Sequence, residues 1–177
     1  MADKVLISVA PVSAADKHID PKKIAADVIA CAKAGAAMVH LHVRDKDGSL
    51  TPDLSVLKEI VELIRAQSDI IIQASTGGVS NLTIEERCAP LYYDEVEACS
   101  LNVGSTNLGD AVYGNPIPEV KYCVNEIIKT GKTPEIEVFE IGHTHMVQEL
   151  RKEFPMKAPI LFSVVLGHPG EAPATPE

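Results

Sequence analysis

The sequence predicts an α/β protein folded as a (β/α)8 TIM barrel, of which these residues supply about six strands. Three observations predict it. Strand-like apolar runs alternate with segments of helical spacing along the whole chain, as in a parallel sheet joined by right-handed crossovers. Each run carries polar residues on one face and aliphatic residues on the other. His40, His42 and Arg44 oppose Val39, Leu41 and Val43, and Gln73 and Ser75 oppose Ile70, Ile72 and Ala74. Ser100 and Asn102 oppose Leu101 and Val103, and Glu135 and Glu137 oppose Ile136 and Val138. Successive residues of a strand point to opposite faces. The aliphatic face therefore packs on helices, and the polar face converges on an interior near the strand ends, where barrel sites lie. An open doubly wound sheet is the competing arrangement. The third observation is size: the chain has 177 residues, whereas a barrel of this type takes about 250. Residues 1–177 thus read as a single domain, the N-terminal portion (roughly two-thirds) of a longer barrel.

The elements follow in order. Val5 to Val12 is an apolar strand. Asp20-Pro21 supplies an N-cap and a first-turn proline for a helix running to Ala34 and stopped by Gly35. Met38 to Val43 is the second strand. Asp53 opens a helix through Arg65, with Leu54, Leu57, Ile60, Val61 and Ile64 at helical spacing. Ile70 to Ser75 is the third strand, and Thr83-Ile84-Glu85-Glu86 fits a capping box. Ala98 to Val103 is the fourth strand, followed by a helix from Pro116 to Gly131. Glu135 to Ile141 is the fifth strand, Thr144 to Phe154 a helix, and Ile160 to Leu166 the sixth strand.

The chain is 46% hydrophobic and 23% charged, which suits a globular protein. A net charge of -9 argues against a nucleic-acid surface, and no apolar run is long enough to cross a bilayer. The four cysteines, Cys31, Cys88, Cys99 and Cys123, have no paired spacing and read as reduced core thiols of a cytoplasmic protein. The sheet edges of an incomplete barrel would call for partners, so a homo-oligomer is expected.

His40 and His42 share one face of one strand and are costly to bury unless something binds them. A divalent metal answers that cost, with zinc the first candidate. Two imidazoles need a third ligand. Glu137 could share the same interior, and residues outside this sequence could supply the ligand equally well. Ser75-Thr76-Gly77-Gly78 follows a strand, and its glycines let backbone N–H groups approach an anion. Ser100 and Asn102 offer short hydrogen-bonding groups to the same interior. Glu137 is an acid in mid-strand, which places it either at an exposed edge or in a paired, buried site. His143 and His145 open a helical region at a spacing that does not converge. His18 and His168 sit in loops.

Several of these runs stand together in one order: Val39-His40-Leu41-His42-Val43-Arg44-Asp45, Ser75-Thr76-Gly77-Gly78, Ser100-Leu101-Asn102-Val103-Gly104-Ser105, Pro134-Glu135-Ile136-Glu137-Val138-Phe139-Glu140, and Val165-Leu166-Gly167 leading to Pro173-Ala174-Thr175-Pro176-Glu177. In that order and spacing the chain resembles the beta-keto acid cleavage enzyme family. The resemblance implies a (β/α)8 barrel that cleaves a β-keto acid with acetyl-coenzyme A, giving acetoacetate and a new coenzyme A thioester. It implies His40 and His42 as zinc ligands, Ser75 and Gly78 at the substrate carboxylate or carbonyl, Ser100 lining the same pocket, and Glu137 as an active-site glutamate. The family's third ligand and an arginine–aspartate pair that helps deprotonate substrate would fall beyond Glu177, so these residues alone are expected to be inactive. A family glutamate that binds a substrate amine falls here at Ala15 or Asp16, which argues against an amino-substituted keto acid. The competing readings are a metal-dependent hydrolase on a similar barrel and a non-catalytic small-acid binder.

Overall fold

The computed structural model describes residues 5–13 and 15–175. Along the chain come β1 (Ser8–Val9), α1 (Pro21–Lys33), β2 (Met38–Leu41), α2 (Ser55–Arg65), β3 (Ile71–Ala74) and α3 (Ile84–Arg87), the last followed by a 3-10 turn (Ala89–Tyr92). Then come β4 (Ala98–Asn102), β5 (Thr106–Leu108), β6 (Ala111–Tyr113), α4 (Ile117–Thr130), β7 (Thr133–Val138), α5 (Ile141–Glu153) and β8 (Leu161–Val164). Six strands form one parallel sheet in the order β1–β2–β3–β4–β7–β8, a half-barrel whose spatial order follows the chain. Strands β5 and β6 stand apart as an antiparallel hairpin.

The helix boundaries follow from local chemistry. Asp20 Oδ1 accepts the Lys22 and Lys23 N–H groups, with Pro21 at the first helical position. Thr83 and Glu86 complete the expected capping box of α3. Gly131, at φ +71°, closes α4 in the left-handed conformation. Helix α2 begins two residues after Asp53, whose carboxylate instead accepts the Ser55 N–H at 2.9 Å.

Burial divides by strand pairs. The apolar faces of α1 and α2 meet Val39, Leu41, Ile72 and Ala74 of β2 and β3. Helices α4 and α5 cover Cys99, Leu101, Ile136 and Val138 of β4 and β7. The aliphatic faces of the strands therefore point outward to the helices, which leaves the inner face to the polar residues. Cys88, Cys99 and Cys123 are buried free thiols and Cys31 is half-buried.

Four boundaries correct the sequence reading. The first strand spans two residues rather than eight, because it pairs with β2 alone and its leading Val5, Leu6 and Ile7 are exposed. The fifth strand starts at Thr133 and ends at Val138, and α5 begins at Ile141, three residues before the expected start. The sixth strand is shortened to Leu161–Val164, and its Phe162 and Val164 are 44% and 64% exposed, with no helix covering them among the described residues. The β5–β6 hairpin was not anticipated. No helix of the described residues is long and apolar enough to cross a membrane.

Candidate functional site

The parallel register carries the polar residues of four strands onto one surface. His40 lies beside Gln73, Ser100 beside Glu135, and Asn102 beside Glu137. Continuing the β2–β3 and β3–β4 pairings by two residues sets His42 beside Ser75 and Ser75 beside Ser100.

The histidine pair is held from behind. Gln73 donates its Nε2–H to the Glu135 carboxylate, so its Oε1 faces His40. That oxygen lies 2.6 Å from His40 Nδ1, which must therefore carry the proton. His40 then presents an unprotonated Nε2, and this atom lies 3.3 Å from His42 Nε2. The rings meet edge to face, 5.1 Å between centroids. Burial, with the charges of His40 and Arg44, pushes the His42 imidazole down to about 4, so it is neutral near pH 7. His42 Nδ1 is buried without a partner. Two converging imidazoles, one with a side-chain partner on its far nitrogen, suit a borderline cation such as zinc. Among the described residues no group of three His, Cys, Asp or Glu side chains is placed to hold a metal ion. Glu137 shares the interior face and does not complete such a set.

Beside the histidines, the turn after β3 is tied to β4. Ser75 Oγ lies 3.4 Å from Ser100 Oγ and accepts the Gly77 N–H at 3.2 Å. Thr76 donates its N–H to Ser100 Oγ at 3.3 Å and its hydroxyl to the Ser100 carbonyl at 2.7 Å. Gly78 has φ +134°, and a β-carbon there would meet Leu50 Cδ1 at 2.5 Å and lie 3.9 Å from His42 Nδ1. The expected substrate turn therefore abuts the expected metal ligand. Asn102 donates Nδ2–H groups to Glu137 and to the Tyr113 hydroxyl. Burial raises the Glu137 carboxyl above its usual range, opposed by His40 and by the Asn102 hydrogen bond. Glu137 lies on a central strand of the inner face, which excludes the exposed-edge reading.

Three contributors were given no role at the site by the sequence reading. Gln73 orients His40. Arg87 donates Nε–H to the Thr76 carbonyl at 2.8 Å and Nη2–H to Asn115 Oδ1 at 2.6 Å, and its Nη1 lies 3.3 Å from the Gly114 carbonyl. It thereby ties the turn to the chain leaving β6. His143, expected to open a helical region at a spacing from His145 that does not converge, is buried: its Nδ1 accepts the Phe139 N–H at 3.2 Å. The signal for Gln73 was present, since it sits at inward parity next to His40. His145 is exposed, 3.7 Å from Glu149, and outside this arrangement.

A parallel half-barrel that gathers polar side chains on its inner face has a TIM-barrel-like architecture. The sequence profile of the beta-keto acid cleavage enzyme family matches residues 4–177, and the chain belongs to that family. It is 38% identical over 145 residues to 3-keto-5-aminohexanoate cleavage enzyme of Acetoanaerobium sticklandii, covering 81% of this chain and 53% of that protein. It is 30% identical over 206 residues to 3,5-dioxohexanoate:acetyl-CoA acetone transferase of Paraburkholderia graminis, covering 98% and 66%. In fold it is similar to the apo structure of ObcA, with a TM-score of 0.71 at 23% identity, covering 85% of this chain and 36% of that one. The chain spans about half to two-thirds of the length of these curated relatives.

Proposed function

We propose that the protein is an acyltransferase-type carbon–carbon bond cleavage enzyme of a (β/α)8 barrel. It would take a small β-keto acid and acetyl-coenzyme A to acetoacetate and a new acyl-coenzyme A. Family membership supports the reaction class, and the relatives' names carry acetyl-CoA as the second reactant. The observation that carries the reading is the 3.3 Å approach of His40 Nε2 and His42 Nε2 beside the Ser75–Gly78 turn.

In this reading His40 and His42 hold a zinc ion or another divalent cation. When bound, that ion supplies Lewis-acid stabilisation of negative charge on the keto oxygen. Gln73 fixes the His40 tautomer. Ser75, Gly78 and Ser100 bind the acid's oxygens and orient it. Asn102 holds the Glu137 carboxyl against the interior, where burial favours its protonated form and lets it exchange a proton with substrate. With two ligands from the described residues, residues 1–177 by themselves are expected not to turn over. Assembly with further copies of the chain belongs to the same reading, and light scattering of the full-length protein would measure it.

The test uses the full-length protein, a panel of β-keto acids, and acetyl-coenzyme A present or omitted. Acetoacetate formation that requires acetyl-coenzyme A is expected, and replacing both His40 and His42 by alanine should abolish it together with bound metal. Turnover without acetyl-coenzyme A would favour hydrolysis. Unchanged metal content in the double variant would remove the two histidines as ligands.

A further inference from the structure

Tyr113 reaches the site from β6 and is 5% exposed. Its hydroxyl fills the space where a side chain at residue 77 would begin: a β-carbon on Gly77 would stand 1.6 Å from Oη and 2.9 Å from Cζ. Residue 77 is therefore glycine because the phenol takes its volume. The same oxygen accepts from Asn102 Nδ2 at 3.0 Å, while the Asn102 amide also donates to Glu137. Two acceptors on one side fix which way the amide faces. Asn102 Oδ1 is thereby left buried without a partner. Burial, with the Glu137 charge adding to it, pushes the Tyr113 phenol up to about 12, so it keeps its proton near pH 7. The Gly78 backbone and the Asn115 side chain also approach the phenol oxygen as donors, and among the side-chain hydrogen bonds of the described residues the hydroxyl hydrogen has no acceptor. A buried donor and a buried acceptor therefore stand uncommitted beside the Gly77–Gly78 turn, and such groups are retained where a ligand satisfies them.

We propose that Tyr113 is a substrate-orienting residue: its oxygen fixes the Asn102 amide and its O–H is offered to a carboxylate or carbonyl oxygen of a small acid bound at the Gly77–Gly78 turn. This rests on the keto-acid reading above for the identity of the acid, and not for the Asn102 contact. Tyr113→Phe keeps the ring and removes both interactions. In the full-length protein we expect KM for the β-keto acid to rise about tenfold, the scale of one lost hydrogen bond to a charged group. KM for acetyl-coenzyme A, bound metal and melting temperature should stay near wild type. An unchanged acid KM overturns the proposal, as does a rise in both KM values together with a lower melting temperature.

A second readout needs no turnover. In the ¹⁵N-labelled full-length protein, the Asn102 side-chain amide protons should exchange at least about tenfold faster in Tyr113→Phe than in wild type, as a released hydrogen bond requires. Unchanged exchange overturns the proposal whatever the kinetics show. If the wild type turns over no β-keto acid while Tyr113→Phe accelerates Asn102 exchange, the reaction assignment fails and the orienting role stands.

Discussion

The Nε2 atom of His143 lies 2.5 Å from the point where a β-carbon on residue 104 would stand. The first turn of α5 is thus pressed directly onto the backbone that leaves β4. Gly104 has no left-handed φ, so its requirement is space. Cδ2 of the same ring would be 2.7 Å away, so rotation in place does not relieve the clash. Gly104→Ala is expected to destabilise by about 1–3 kcal/mol, the range for overfilling a packed site. Denaturant titration checks it, and a midpoint equal to wild type would show that the ring moves aside freely.

His143 also sets a pH dependence. Burial lowers its pKa below 6.5, and it outweighs the opposing Glu140 and Glu171 charges and the Ser105 backbone. The unfolded chain therefore takes up the proton first as pH falls. This histidine costs no stability above the unfolded pKa of about 6.5 and progressively more below it, down through the folded value. His143→Asn should flatten the fall in stability as the pH drops below about 6.5. Melting curves across that window provide the measurement, and identical slopes in the two proteins would refute the assignment.

Gln73 is expected to control metal affinity without touching metal. Gln73→Leu removes the acceptor that holds the His40 Nδ1 proton, so the two tautomers compete and Nε2 is unprotonated only part of the time. Loss of such a partner typically weakens metal affinity by about 10–100-fold. Competition with a chromophoric chelator reads this directly in the full-length protein. The Glu135 carboxylate, left without its amide donor, adds a stability loss that thermal melting separates from the affinity change.

Thr83→Ala should cost about 1 kcal/mol by removing one half of the α3 capping box. The four-residue helix carries Arg87, so local opening there should raise proteolysis at residues 77–87 before the core unfolds. Limited proteolysis with site mapping checks the order of events.

Much of the half-barrel was legible because both of its periods are strong. Alternation along 39–44 and 98–103 fixes which side chains face in, and 3.6-residue spacing along 54–65 fixes a buried helix face. That His40 and His42 share a face follows from parity alone, whereas the Ser75–Ser100 neighbourhood needs the β3–β4 register. The hairpin was lost because 106–113 is too short to show alternation, although Gly109-Asp110 between two such runs is a two-residue turn signal. Tyr113 was lost with it, since nothing local marks a tyrosine whose partners lie 11 and 36 residues away, at Asn102 and Gly77. His143 was obscured by the run Phe139-Glu140-Ile141, which reads as continuing strand, whereas Ile141 starts the helix and is exposed.

Arg87 serves the Thr76 carbonyl, the Gly114 carbonyl and the Asn115 side chain from one planar group, with its carbon 5.8 Å above the Tyr113 ring. A lysine there would conserve the cation and lose the joinery: one compact ammonium cannot span three anchorages that a rigid fork reaches at once. Two loops now braced as a unit would then drift independently, and a swap that looks harmless on a charge scale would blur both walls of the same chamber.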